Sequence, residues 1–184
     1  MAPDIQSSDF GKERWQRALA DIAMALGPDG PPVQLCLIGS AACLFGGMDG
    51  RTSRDLDVWK PVSDYDLIEL KNAVEYAGLM FDPKSHLEPD RAYIQIVEPG
   101  LTQIGEFAPI RVDRLGRLIL LRPPIENLIA AKLIRSAPKD LQDIQFLFQL
   151  HQPNRDTIKQ IISTFPPTSR QLAEENLIYL DILQ

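Results

Sequence analysis

Two aspartates stand two residues apart, Asp55-Leu56-Asp57, fourteen residues beyond a glycine-serine pair, Gly39-Ser40. Apolar runs of strand length surround both features: Val33 to Ile38 ahead of the glycine, and Leu56 to Trp59 through the acids. Side chains alternate along a strand, so Asp55 and Asp57 face the same way. Two like charges on one face repel unless something positive holds them. A hard divalent cation, Mg²⁺ or Mn²⁺, with a phosphate as a further ligand is one such partner. Pairing with Arg51 or Arg54 along a solvated strand edge is the other.

The neighbouring sequence predicts the elements that position these residues. A helix stripe of Phe10, Leu19, Ile22 and Leu26 ends at Gly27, with Asp9 or a preceding serine as its cap. Pro28 to Pro32 is a turn, and Val33 to Ile38 a buried strand. Ser40 is expected to cap a short helix from Ala41 to about Phe45, followed by a glycine-rich loop, 46–50. Asp64 to Ala77 reads as a helix burying Leu67, Leu70, Val74 and Ala77 and stopped by Gly78. Tyr93 to Val97 is a third strand, and Ile110 to Val112 with Leu118 to Leu121 flank a hairpin turn at Asp113 to Gly116. Helical patterns follow over Ile125–Arg135, Lys139–Leu150, Arg155–Thr164 and Ser169–Leu183, separated by prolines. The expected organisation is an α/β portion, 1–122, followed by a helical portion, 123–184.

Composition narrows the function classes. A 45% hydrophobic share suffices for a core, and no apolar run approaches the length of a membrane span. The opening residues show no basic segment followed by an apolar one, so a cytoplasmic location without membrane partners is expected. Cys36 and Cys43 lie in apolar surroundings and read as buried thiols. The chain carries −6 overall, which argues against generic coating of nucleic acid. Seven basic and two acidic residues give the window from Pro109 to Lys139 a charge of +5, which leaves −11 to the rest. Such a segment suits either a phosphate-bearing substrate or a solvated hairpin of snorkelling arginines.

Leu35-Cys-Leu-Ile-Gly39-Ser40, followed by Arg51-Thr-Ser-Arg54-Asp55-Leu56-Asp57-Val58, resembles the signature of the nucleotidyltransferase superfamily. The later pair of helical segments, Pro124-Ile-Glu-Asn-Leu-Ile-Ala-Ala-Lys132-Leu and Lys139-Asp140-Leu-Gln-Asp143-Ile, is similar to AbiEii-like toxins and related small nucleotidyltransferase-like proteins. The resemblance spans roughly Val33 to Leu147. It implies a mixed sheet flanked by helices and a helical bundle after it. It also implies a Mg²⁺-dependent (or Mn²⁺-dependent) transfer of NMP from an NTP to an acceptor such as RNA or tRNA, by the toxin of a toxin–antitoxin pair with a cognate antitoxin as partner. On that resemblance Asp55 and Asp57 bind metal and Ser40 holds the β- or γ-phosphate. Gly39 admits the phosphate to the backbone, and Arg54 and Gln95 line the substrate. Lys132 contacts the triphosphate, and Asp140 or Asp143 aligns the acceptor or Lys132. Residue by residue, Lys132 also reads as a snorkelling lysine, and Asp140 as a first-turn helix acid.

One departure from the family pattern concerns the third acid, which many active members carry on the strand beside the aspartates. Here that strand reads Tyr93-Ile-Gln95-Ile-Val97, with Gln95 in the acid's position and Glu98 or Asp113 as substitutes. A neutral amide supplies no base and binds a metal more weakly. The second reading is therefore a catalytically degenerate module binding a nucleotide or a partner protein. Other chemistries lack their residues: no G-x-S-x-G elbow, no P-loop, and only His86 and His151 as histidines, both in polar contexts.

Overall fold

The computed structural model describes residues 9–48, 50–84, 88 and 90–182. Helices and strands are both well represented, in a mixed α and β fold with two small sheets. Ser7, Ser8, His86, Leu183 and Asp49 of the 46–50 loop lie outside the described residues, and with them the surface histidine expected at 86; the first helix, Lys12–Leu26, has Gly11 at its N-cap position and no side-chain cap, so the cap expected from Asp9 or a preceding serine is not made. The chain divides into two compact units, Met1–Val97 with Arg111–Leu121, and Glu98–Ile110 with Arg122–Gln184. The segment Glu98–Ile110 thus goes with the helices, whereas the sequence boundary at 122 groups it with the strands.

The first unit begins with α1 (Lys12–Leu26), whose Trp15, Ala18, Leu19, Ile22 and Leu26 are buried. β1 (Val33–Cys36) leads into α2 (Gly39–Phe45), and β2 (Asp55–Trp59) follows. Ser40 is not the cap of α2: that position belongs to Ile38, and no side chain caps the helix. α3 spans Leu67–Tyr76 and is capped by Asp66, which accepts from the Glu69 amide. It buries Leu70, Ala73 and Val74, while Leu67 in its first turn is exposed, contrary to the expected stripe. β3 (Met80–Phe81) is a strand that the sequence did not announce; β4 is Tyr93–Val97. β5 (Ile110–Leu115) and β6 (Leu118–Arg122) meet at Gly116, where φ is +59°, so the strand runs on through Asp113 and the turn is tighter than expected.

The strands form two three-stranded sheets, ordered β1-β6-β5 and β2-β4-β3, in place of one mixed sheet. β1 pairs parallel with β6, and β4 pairs parallel with both β2 and β3. A bridge from Leu37 to Val58, with Ile38 N donating to Asp57 O at 3.0 Å, ties the end of β1 to β2. Strands covered on both faces read as apolar runs, which accounts for Leu35, Leu56, Ile94 and Leu120 at zero exposure in one core with Trp15 and Ile22. Arg117 is buried and not solvated. Its guanidinium donates to the carbonyls of Leu26, Gly27 and Pro31 at 2.6, 3.2 and 2.8 Å and pairs with Glu69, closing the C-terminal end of α1.

The second unit is built on α4 (Ile125–Arg135), which packs against α5 (Pro138–His151), α6 (Arg155–Ser163) and α7 (Pro167–Glu175). A 3₁₀ turn at Asn176–Ile178 then breaks the expected last helix before α8 (Tyr179–Ile182). Buried Asn127 donates to Ile104 O at 2.8 Å, which fastens the 98–110 segment to α4. His151 closes α5 on the surface. Among the described residues no helix is long and apolar enough to cross a membrane.

Candidate functional site

β2 alternates as its sequence requires: Asp55 and Asp57 are partly exposed, while Leu56 and Val58 are buried. The approach to the strand is fixed from behind. Ser53 exchanges both backbone hydrogen bonds with Phe10, and Trp15 Nε1 donates to Ser53 O at 3.1 Å. Ser53 Oγ then donates to Asp55 Oδ1 at 2.8 Å, and the Tyr93 hydroxyl reaches Asp55 Oδ2 at 3.4 Å. Asp55 therefore accepts from two neutral hydroxyls, which stabilise the carboxylate without cancelling its charge.

Gly39 brings the preceding bend to the second acid. Its φ is +60°, and a Cβ built there would lie 2.8 Å from Asp57 Oδ2. Only glycine satisfies both the left-handed backbone and the close carboxylate. The bend and Asp57 thus form one surface, reinforced by the Ile38 to Asp57 backbone bond. Next along the bend, Ser40 Oγ accepts from Arg51 Nη2 at 2.7 Å. Arg54 turns elsewhere. It donates to Arg91 O at 3.2 Å and to Glu88 O, and its guanidinium lies 5.8 Å from the Tyr93 ring centroid.

Two acids facing one way leave an electrostatic trace on Tyr93. Burial first, then the charges of Asp55 and Asp57 and the bond to Asp55, raise its phenol above the ordinary range; Arg54 opposes them. Across the β2–β4 ladder, Asp55 stands beside Tyr93 and Asp57 beside Gln95. Gln95 Nε2 donates at 2.8 Å to Asp82 Oδ1, an acid immediately beyond β3. Of the substitutes considered for the third acid, Glu98 is exposed and belongs to the second unit, and exposed Asp113 accepts from the Arg114 amide at 2.7 Å. Asp82 escaped sequence reasoning because its strand is two residues long; its one local signal is the Asp82-Pro83 turn dipeptide.

Hard oxygen donors on one face, beside a glycine bend that a methyl group would fill, suit a Mg²⁺ or Mn²⁺ ion. Among the described residues no group of three or more His, Cys, Asp or Glu side chains is placed to hold a metal ion; Asp55 and Asp57 are two carboxylates that could contribute to one. Cys36 and Cys43 are buried and form no disulfide; burial pushes the Cys36 thiol up to about 12. A thiol so placed packs as a small hydrophobe.

Lys132, Asp140 and Asp143 lie together in the second unit. Lys132 Nζ is 2.7 Å from Asp143 Oδ2 and 3.7 Å from Asp140 Oδ1, with all three side chains at 6% exposure or less. Arg135 donates to both oxygens of Asp140 at 2.7 Å, and the Ala137 amide adds a bond at 3.1 Å. Burial alone would raise the Asp140 carboxyl. The Arg135 bonds, Lys132 and the Ala137 amide outweigh it and hold the group below its ordinary value. The cluster clasps α4 to α5 across the turn between them, so both acids of the predicted pair serve Lys132. Comparison of the chain with protein-family profiles, with curated proteins and with solved structures gives no match.

Proposed function

We propose that the first unit carries a Mg²⁺-dependent nucleotidyltransferase that moves NMP from an NTP to an acceptor. The observation that supports this most is the contact between the Gly39 bend and the Asp57 carboxylate, on the face shared with Asp55. A divalent cation held by the two aspartates would neutralise the polyphosphate and stabilise charge building on its oxygens. The chain's own part is to aim two carboxylates the same way. Ser53 and Tyr93 hold Asp55 by neutral hydroxyls, and the backbone of Ile38 holds Asp57 in place beside the bend. Ser40, already oriented by Arg51, offers its hydroxyl proton to a phosphate oxygen. Exposed Arg111 and Arg114 on edge strand β5 support an RNA acceptor such as tRNA, and with it a toxin whose antitoxin shields this surface.

Incubation with labelled NTPs, Mg²⁺ and total RNA tests the reading. Label should pass to RNA with the wild type and not with Asp57→Ala. No transfer with any NTP, and no difference between the two proteins, would count against it.

Gln95 in the third position favours a second reading, a degenerate module that binds a nucleotide or a partner protein without turnover. Calorimetry separates the two: NTP binding with Mg²⁺ but no transfer points to the module, and no binding leaves only a protein partner.

A further inference from the structure

Gln95 has a physical reason that the sequence hides. β3 and β4 run parallel with Met80 beside Tyr93 and Phe81 beside Ile94, and Asp82 continues that register by donating its amide to Ile94 O at 2.7 Å. Asp82 there leaves the strand with φ at +42°, a conformation that aspartate tolerates better than most residues. Its Oδ1 accepts from Gln95 Nε2 at 2.8 Å and from the Ile96 amide at 3.4 Å, while Lys84 Nζ lies 3.7 Å from Oδ2. One row of the sheet therefore reads Asp57, Gln95, Asp82. A carboxylate at position 95 would face Asp82 at hydrogen-bond distance, where two acids do not both stay ionised. An amide there can donate instead.

Adjacent strands lie about 4.8 Å apart, so the Asp82 backbone stands about 10 Å from that of Asp57, with the Gln95 strand between them. Its side-chain contact with the row is to the amide between them. With Nε2 committed to Asp82, the amide cannot flip, and Oε1 is left as its acceptor atom; among the described residues nothing donates to it. Amide oxygens are ordinary ligands for hard cations. We infer that Asp82 is a positioning residue that locks the Gln95 amide, so that Gln95 adds a neutral oxygen ligand to the row begun by Asp57. The inference rests on the metal-site reading above and names the residue that stands in for the third acid.

Free Mn²⁺ measured by electron paramagnetic resonance tests it without any turnover, in the wild type and in the Asp57→Ala, Asp82→Ala, Asp82→Asn, Gln95→Ala and Asp82→Ala/Gln95→Ala variants. Loss of an outer partner of a ligand typically weakens metal binding 10- to 100-fold, so Asp82→Ala should weaken Mn²⁺ binding by about tenfold. Asp82→Asn keeps an acceptor for Nε2 and should bind within a few-fold of wild type. The double variant should bind no more weakly than Gln95→Ala, because Asp82 works through that side chain. The Gln95 side-chain amide pair in a ¹⁵N spectrum should be sharp in the wild type and in Asp82→Asn, and averaged in Asp82→Ala. Mn²⁺ binding that Asp57→Ala removes but Asp82→Ala leaves intact overturns the inference alone. An additive loss in the double variant does the same. Equal binding by wild type and Asp57→Ala overturns the metal-site reading, and the inference with it.

Discussion

The two units carry aspartate pairs of similar spacing in opposite environments. Asp55 and Asp57 sit half-exposed on a strand, and Asp55 is held by hydroxyls that leave its charge uncancelled. Asp140 and Asp143 are buried on a helix and are matched directly by Lys132 and Arg135. A buried ion pair compensates desolvation internally and fixes geometry, whereas a carboxylate held by hydroxyls, as Asp55 is, keeps an attraction for cations from solution. Carboxylates alone therefore do not mark a site. What sets Asp55 apart is that the Ser53 and Tyr93 side chains that hold it are hydroxyls, whereas Asp140 is held by guanidinium and ammonium groups.

Breaking the buried pair should show the larger structural effect. Asp143→Ala removes the nearer of the two acids that face buried Lys132, leaving Asp140 at 3.7 Å, and should cost about 3 kcal/mol, the low end for a broken buried pair, read as a drop in the denaturation midpoint. Lys132→Met with Asp143→Leu should recover most of that loss, since an apolar pair of similar volume is often neutral or better. Asp55→Asn, which keeps hydroxyl partners and removes repulsion, should change stability by less than about 1 kcal/mol. If both substitutions destabilised equally, the contrast between the units would fail.

Gly39→Ala should have an intermediate effect that falls on both stability and chemistry. The left-handed backbone costs about 1–2 kcal/mol for alanine, and the new methyl group displaces Asp57 Oδ2 from its 2.8 Å approach. A shift of that size should lower transfer activity about 100-fold. Unchanged activity with a lowered midpoint would confine the glycine to a backbone role.

The smallest effect is a pH dependence confined to the helical unit. Asp140 is held below its ordinary carboxyl value of 3.8, so the folded state binds its proton less readily than the unfolded chain. That stability is complete above about pH 4 and is lost as pH falls through the folded value. Asp140→Asn should lower stability at neutral pH, where the carboxylate's contribution is complete, and flatten the acid limb of the unfolding curve below pH 4. An acid limb unchanged by the substitution would remove Asp140 from the clasp.

Much of the scaffold was legible because it rests on local periodicity. The alternation of Asp55-Leu56-Asp57-Val58 predicts the exposed and buried faces of β2, and Pro124 ahead of an apolar stripe places α4 at Ile125–Arg135 as found. What escaped depends on partners far along the chain. Leu67 fits the helical stripe of α3 but lies outside the buried contact, so its exposure is a tertiary fact. Met80–Phe81 is too short to show a period and exists only through pairing with β4. Arg117 looks like one more solvated arginine until the end of α1 is brought to it. The site divides the same way. The aspartates and Gly39 announce themselves by type and spacing, whereas Asp82, and the reason for Gln95, arise from a register between strands.

The central claim is that Asp55 and Asp57 hold a divalent ion beside the Gly39-Ser40 bend, and crystals soaked with Mn²⁺ and a non-hydrolysable NTP analogue test it most directly. Expected is anomalous density within coordination distance of both carboxylates, with the polyphosphate against the bend. A nucleotide bound elsewhere, or Mn²⁺ that avoids both aspartates, would contradict it.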